Sequence, residues 1–123
     1  MLELAELDER VSLMEQIGID ASPVVLVNVF KVAPEDVGAL LEAWTADATL
    51  LKAKPGFISA QLHRGIAGSS TFLNYARWES VAAFRAAFSD PAFRANFANY
   101  PDSTIASPHL FQKVGVPGIS EGE

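Results

Sequence analysis

Two asparagines, one tryptophan and one histidine are the residues whose types and positions suit chemistry. In "TFLNYARWES" (residues 71–80), strand alternation puts Phe72, Asn74, Ala76 and Trp78 on one face. A carboxamide between a Phe and a Trp is a poor choice for packing, because Asn is depleted in strands and a buried amide is costly unless paired. "SPVVLVNVFKV" (22–32) repeats the oddity with Asn28 in the middle of a Val-rich run. Two amides and an indole N–H converging between apolar side chains have the character of a small-molecule site. The candidate proton acceptor is His63, in "AQLHRG", since an imidazole exchanges a proton readily near neutral pH, with a bound molecule's own acidity as the alternative. His109 lies near the last strand, and Tyr75, Arg77 and Arg94 are further hydrogen-bonding candidates.

The elements that must hold these groups follow from periodicity and punctuation. Residues 1–20 carry Leu4, Leu7, Val11 and Met14 at helical spacing, which predicts an amphipathic helix ending near Gly18. "SPVVLVNVFKV" is a buried strand by composition. "APEDVGALLEAWTADATLLKAK" follows as a helix, opened by Pro34 and acidic Glu35 and Asp36, with Val37, Leu40, Leu41, Trp44, Ala48 and Leu51 on one face. "PGF" makes a turn into the strand "FISAQLHRGI", and "AGSS" leads to the strand that holds Asn74. "SVAAFRAAFSDPAFRANFANY" is helical with a restart at Asp90-Pro91, and "HLFQKV" is a last strand.

This order, a leading helix and then βαββαβ, predicts an α+β, ferredoxin-like split βαβ fold with an antiparallel sheet. Its first and third strands are central neighbours, which places Asn28 beside Asn74. Residues 23–114 form the domain, between the helix at 1–20 and a polar tail at 115–123. The face away from the helices would carry Val25, Val27, Val29, Leu73 and Tyr75, too apolar for water, so a homodimer is expected.

Composition narrows the partners. The chain has 123 residues, no cysteine and a net charge of −6, with nine scattered Lys and Arg. Phosphate binding needs clustered basic residues, so nucleic acid and anionic membrane surfaces are not expected partners. The N-terminus lacks the basic and apolar regions of a signal peptide, and no run is long enough to span a bilayer, so the expected location is cytoplasmic. No GxGxxG, P-loop or GxSxG motif occurs, and two distant histidines have no metal-ligand spacing. The expectation is no metal and no cofactor.

At "PVVLVNVFKVAPEDVGALLEAW", "KPGFISAQLHRG" and "FLNYARWESVAAFRAAFSDPAF" the chain resembles the antibiotic biosynthesis monooxygenase family, over roughly Pro23 to Val114. The resemblance implies a dimeric α/β-barrel-type assembly of ferredoxin-like subunits. It also implies cofactor-free oxidation of a phenolic, hydroquinone or anthrone-like aromatic substrate with O2 to a quinone. Asn28, Asn74 and Trp78 match the residues that members of the family use for catalysis. His63, Phe72, Phe84 and Arg94 are the expected substrate-binding residues, with Phe84 standing where anthrone oxygenases carry a tyrosine. The haem-degrading branch needs an axial His on the second helix. Ala87 and Phe97 lie near that branch's key positions and the helix has no His, which disfavours haem. The competing reading is a non-catalytic dimer of the same fold that binds or senses a small molecule. An open pocket reaching the three polar residues would favour the enzyme, and a sealed apolar core the binding module.

Overall fold

The structure, a computed structural model, describes residues 1–120. Its elements are β1 (Glu3–Leu4), α1 (Leu13–Gln16), β2 (Val24–Lys31), α2 (Val37–Leu51), β3 (Phe57–Arg64), β4 (Thr71–Trp78), α3 (Val81–Phe88), α4 (Pro91–Ala95) and β5 (Ile105–Phe111). Short 3₁₀ turns at Pro34–Asp36 and Asn96–Asn99 precede α2 and follow α4. The sheet order is β1-β5-β2-β4-β3. From β2 to β5 this is the ferredoxin-like arrangement expected from the sequence, with β2 and β4 antiparallel at its centre.

Alternation along the central strands decides what faces the helices. On β4, Phe72, Asn74, Ala76 and Trp78 are buried while Tyr75 and Arg77 are exposed. On β2, Val24, Leu26 and Phe30 are buried, and Val25, Val27 and Val29 on the opposite face are only half-buried. Two core clusters result. One gathers Leu26, Trp78, Phe84 and Phe88 beneath α1 and α3, and the other gathers Phe30, Leu40, Phe72 and Tyr100 beneath α2.

The N-terminus corrects the sequence reading. Residues 1–20 are not one amphipathic helix. Instead β1 pairs in parallel with β5, and only Leu13–Gln16 is helical. The reason lies in the sheet edge, whose unpaired backbone groups recruit any chain that can reach them. Leu2 N–H donates to the Phe97 carbonyl at 3.2 Å, Glu3 N–H to Thr104 at 2.9 Å and Ala5 N–H to Ala106 at 2.9 Å. An isolated helix of this length is marginal in water, so these bonds win. Leu4, Leu7, Val11 and Met14, whose spacing suggested a helix, are all exposed. Ser12 caps the short α1 by accepting from Glu15 N–H at 3.2 Å, and Gln16 Oε1 accepts from Leu110 N–H at 2.7 Å, fastening α1 to β5. Of the tail at 115–123, residues 121–123 lie outside the described residues. Val116 and Ser120 form an isolated bridge.

The second helical region bends where Asp90-Pro91 indicates. Ser80 caps α3 by accepting from Ala83 N–H at 3.0 Å, and Asp90 caps α4 by accepting from Ala92 N–H at 2.8 Å. Lys54, just beyond α2, pairs with Asp90 and ties the two helical regions together. The Asp90 carboxyl is held below the usual carboxylate range, first by the hydrogen bond from Lys54 and then by that from Ala92 N–H.

The turn before β3 depends on Gly56. Its φ is +85°, its carbonyl accepts from Glu79 N–H at 2.8 Å, and a Cβ there would lie 2.3 Å from the Ala83 Cβ on α3. Gly56→Ala is therefore expected to cost on the order of 2–4 kcal/mol, combining left-handed strain with overpacking. Gly68→Ala, at φ +73° with nothing within 4 Å of the added Cβ, should cost only the backbone share, about 1–2 kcal/mol. Urea unfolding of the two variants measures the difference, and equal losses would contradict the packing role of Gly56.

Candidate active site

The register brings the polar residues together. Asn28 on β2 is directly opposite Asn74 on β4, so their Cβ atoms are neighbours on one face of the sheet. Trp78 is two pleats further along the same face. Between these positions, Leu26, Ala76 and Ala60 are adjacent in register on β2, β4 and β3. The two alanines leave space above the sheet that larger side chains would fill.

That space is a pocket between the sheet and the helices. It is a narrow cavity with a water-accessible volume of about 50 Å³. Asn28, Asn74 and Trp78 form its floor with Ala60 and Ala76, and Trp44, Asp47 and Leu51 of α2 form one wall. The opposite wall is aromatic. Phe84 packs on Phe88 at 5.7 Å between ring centres, and Phe88 on Phe93 at 5.8 Å. Phe97 completes it, 5.2 Å from Phe93. Leu2 and Leu4 of the N-terminal segment also reach the lining.

Trp78 is completely buried and held edge-on between two rings, Phe57 at 5.4 Å and 88° and Phe84 at 5.7 Å and 73°. Such contacts fix an aromatic ring's orientation. Its indole N–H nevertheless has no hydrogen-bond partner, and neither does Oδ1 of Asn28 or Oδ1 of Asn74. Among the described residues only Thr104 Oγ1 shares this condition, and Thr104 is not in the pocket. Leaving a buried donor or acceptor unpaired costs about 1–3 kcal/mol. Three such groups on one apolar pocket leave it short of one acceptor and two donors, which a bound molecule with hydroxyl and carbonyl groups would supply.

Of the expected substrate-binding residues, only Phe84 lines the pocket. His63 does not. It is exposed on the outer face of β3, opposite Leu73, with Nδ1 3.1 Å from the Gln61 carbonyl, because alternation turns Leu62 inward instead. Phe72 is buried in the second core cluster, beside Arg64, whose guanidinium lies 5.3 Å from its ring centre. Arg94 is exposed and covers the Phe88 ring at 5.0 Å, so it stands behind the aromatic wall. Ala87 is buried without reaching the lining, whereas Phe97 reaches it, and no histidine does.

A polar group that the sequence reading passed over also lines the pocket. Asp47 on α2 is buried, with Oδ1 accepting from Asn96 Nδ2 at 2.7 Å and Oδ2 accepting from the Tyr100 hydroxyl at 2.5 Å. Burial pushes its carboxyl above the ordinary range, against the opposing effect of hydrogen bonds from Tyr100 and Asn96. Burial first, and then the charge of Asp47, push the Tyr100 phenol far above its usual range. The available signal was helical spacing. Asp47 is seven residues after Leu40 and four before Leu51, a charged residue on the core-facing stripe.

Among the described residues no cluster of His, Cys, Asp or Glu could hold a metal ion, and no helix is long and apolar enough to cross a membrane. Comparison with known proteins places this geometry. Residues 23–99 match the antibiotic biosynthesis monooxygenase family. Tetracenomycin-F1 monooxygenase of Streptomyces glaucescens is 44% identical over 75 residues, a match that spans 58% of this chain and 64% of that protein. SnoaB, a cofactor-independent oxygenase of Streptomyces nogalater, has the same fold, with a TM-score of 0.67 at 24% identity over 80% of this chain and 99% of that one. A candidate monooxygenase of Shewanella loihica PV-4 superposes with a TM-score of 0.67 at 29% identity, over 80% of this chain and 100% of its own. With the family match covering more than half of its length and the fold agreeing, the chain belongs to the antibiotic biosynthesis monooxygenase family.

Proposed function

We propose that this protein is a cofactor-independent monooxygenase that oxidises a phenolic, hydroquinone or anthrone-like ring with O2 to a quinone. The observation that carries the reading is the set of unpaired polar atoms on Asn28, Asn74 and Trp78, all facing one apolar pocket. The relative named for tetracenomycin F1 adds that compound to the candidate substrates. A pocket that reaches all three residues favours turnover over a sealed binding or sensing module.

The electrons can come from the substrate. Deprotonation makes the ring electron-rich enough to reduce O2, and a C–O bond forms to give a hydroperoxide. Loss of the remaining proton on that carbon cleaves the O–O bond and leaves a carbonyl. One oxygen atom stays in the quinone and the other departs as water, so no external reductant is consumed. The protein's task is orientation and stabilisation of developing charge. Asn28 and Asn74 would accept from substrate hydroxyls, and Trp78 would donate its N–H to the oxyanion or peroxide, the only polar role an indole has.

Oxygen uptake by metal-stripped protein tests this with 1,8-dihydroxyanthrone, 1,4-dihydroxynaphthalene and tetracenomycin F1. Mass spectrometry after turnover under ¹⁸O2 should find one labelled oxygen in the product. No uptake above the uncatalysed rate across the panel would refute the proposal.

Asn74→Leu separates a site residue from a packing one. Because Oδ1 has no partner to lose, the variant should keep or raise its Tm while turnover falls by roughly tenfold or more, stability having been yielded to function. Trp78→Phe should act in the same direction with a smaller change in Tm. A less stable Asn74→Leu protein that is equally active per folded molecule would remove Asn74 from the mechanism.

The proposal includes a homodimer formed by the apolar outer face. Val27→Glu would bury an unpaired carboxylate there, so sedimentation should find the wild type dimeric and the variant monomeric or unfolded. A monomeric wild type would remove that part.

A further inference from the structure

The proposed reaction begins with loss of a substrate proton, and His63 is on the wrong face of the sheet to take it. We propose that Asp47 is the proton acceptor of this pocket, positioned by Tyr100 and Asn96, and that it deprotonates the phenolic hydroxyl of the bound substrate. The inference rests on the monooxygenase reading and gives it its missing base.

Three observations carry it. Asp47 lines the same pocket as Asn28, Asn74 and Trp78, and its side chain is buried there. No cation pairs with it among the described residues, where the ion pairs are Met1 with Asp102 and Lys54 with Asp90. Its support is instead two directed donors, one to each oxygen. Each carboxylate oxygen can accept more than one hydrogen bond, so both retain capacity for a substrate hydroxyl.

The positioning groups are themselves fixed. Asn96 Nδ2 also donates to the Ala43 carbonyl at 2.8 Å, and its Oδ1 accepts from Asn99 Nδ2 at 2.7 Å. The Tyr100 ring stacks on Phe30 at 5.9 Å with an interplanar angle of 6°. The carboxylate therefore has one orientation, and its apolar surroundings increase its appetite for a proton. In the step itself the phenolic O–H bond breaks and its electron pair stays on the ring oxygen. An O–H bond forms on Asp47, and that proton later leaves with the second oxygen atom as water.

Asp47 is insulated from other charges. The groups acting on it are Tyr100 and Asn96, from the segment packed against α2. Arg94 on α4 is occupied over Phe88, and Glu3 on β1 is exposed. Glu35 and Asp36 precede α2, with Asp36 eleven residues and thus about 16 Å away along the helix.

The test measures kcat and KM against pH for the fastest substrate of the panel above, using wild type, Asp47→Asn and Tyr100→Phe. Wild-type kcat should rise with pH through one ionisation and level off. Asp47→Asn should lose about 100-fold or more in kcat, the usual scale of general base catalysis, with KM within about threefold. Its residual rate should keep climbing with pH, as the substrate ionises unaided. Its Tm at pH 7 should be kept or raised. A carboxyl raised by burial contributes stability below its unfolded pKa and loses it as pH rises through the folded one, and Asn is free of that loss.

Tyr100→Phe keeps the base but removes a hydrogen bond that orients it and lowers its pKa, so the rising limb should move to higher pH, with a plateau kcat between those of the wild type and Asp47→Asn. A purely structural Asp47 would not move the limb. An Asp47→Asn enzyme with the wild-type limb and kcat within threefold overturns the proposal. Should Asp47→Asn fail to fold, an unmoved limb in Tyr100→Phe overturns it equally. Absence of uptake by the wild type overturns the monooxygenase reading and this inference together, whereas a working wild type with an indifferent Asp47→Asn overturns this inference alone.

Discussion

The pairing of β2 with β4, which sets Asn28 opposite Asn74, is the constraint on which the molecule depends. Strand side chains alternate with a period of two, so a slip of one residue would turn every member of a strand to the other face. In the native register Leu26, Phe30, Phe72 and Trp78 go into the core together with both amides. The hydrophobic burial that fixes the register thereby carries the polar groups inward. Neither asparagine could hold that place unaided, because a buried amide oxygen without a partner opposes folding.

The helices complete what the sheet begins. Ala60 and Ala76 keep the middle of the floor low, and the aromatic side chains of the α3–α4 region line the gap in tilted and edge-on contacts. The bend at Asp90-Pro91 makes this possible by letting Phe93 and Phe97 turn back toward Phe88. The Lys54–Asp90 pair then joins that bend to the end of α2. Two hydrophobic clusters with a pocket between them result, where a larger residue at either alanine would have favoured one continuous core.

The central βαββαβ order was legible because each of its elements has a strong local signature. The Val-rich run of β2, the Pro34 start before α2 and the Asp90-Pro91 restart were of this kind. The N-terminal segment was misread because pairing with β5 is a long-range opportunity that no local periodicity of Leu4, Leu7, Val11 and Met14 can reveal. At the site, Asn28, Asn74 and Trp78 were legible as polar residues on an apolar face. Phe84 was legible as the aromatic following them. Phe72 and Arg94 were not separable from true lining residues, since strand parity and helix position say which way a side chain points but not what fills the space in front of it. His63 could have been excluded by parity alone, being one residue beyond the inward Leu62. Asp47 was hidden by the company of acidic residues in a chain with a net charge of −6.

The short N-terminal strand gives the pocket a divided construction. Its floor and helical walls come mainly from residues 23–99, the stretch that matches the family. Leu2 and Leu4 belong to a separate piece of chain that joins the sheet only at its outer edge, through β5. Side chains of different bulk at these two positions would resize one margin of the pocket without displacing the amides, the indole or the carboxylate. One margin of the chamber can therefore vary in a part of the sequence that carries none of its polar groups.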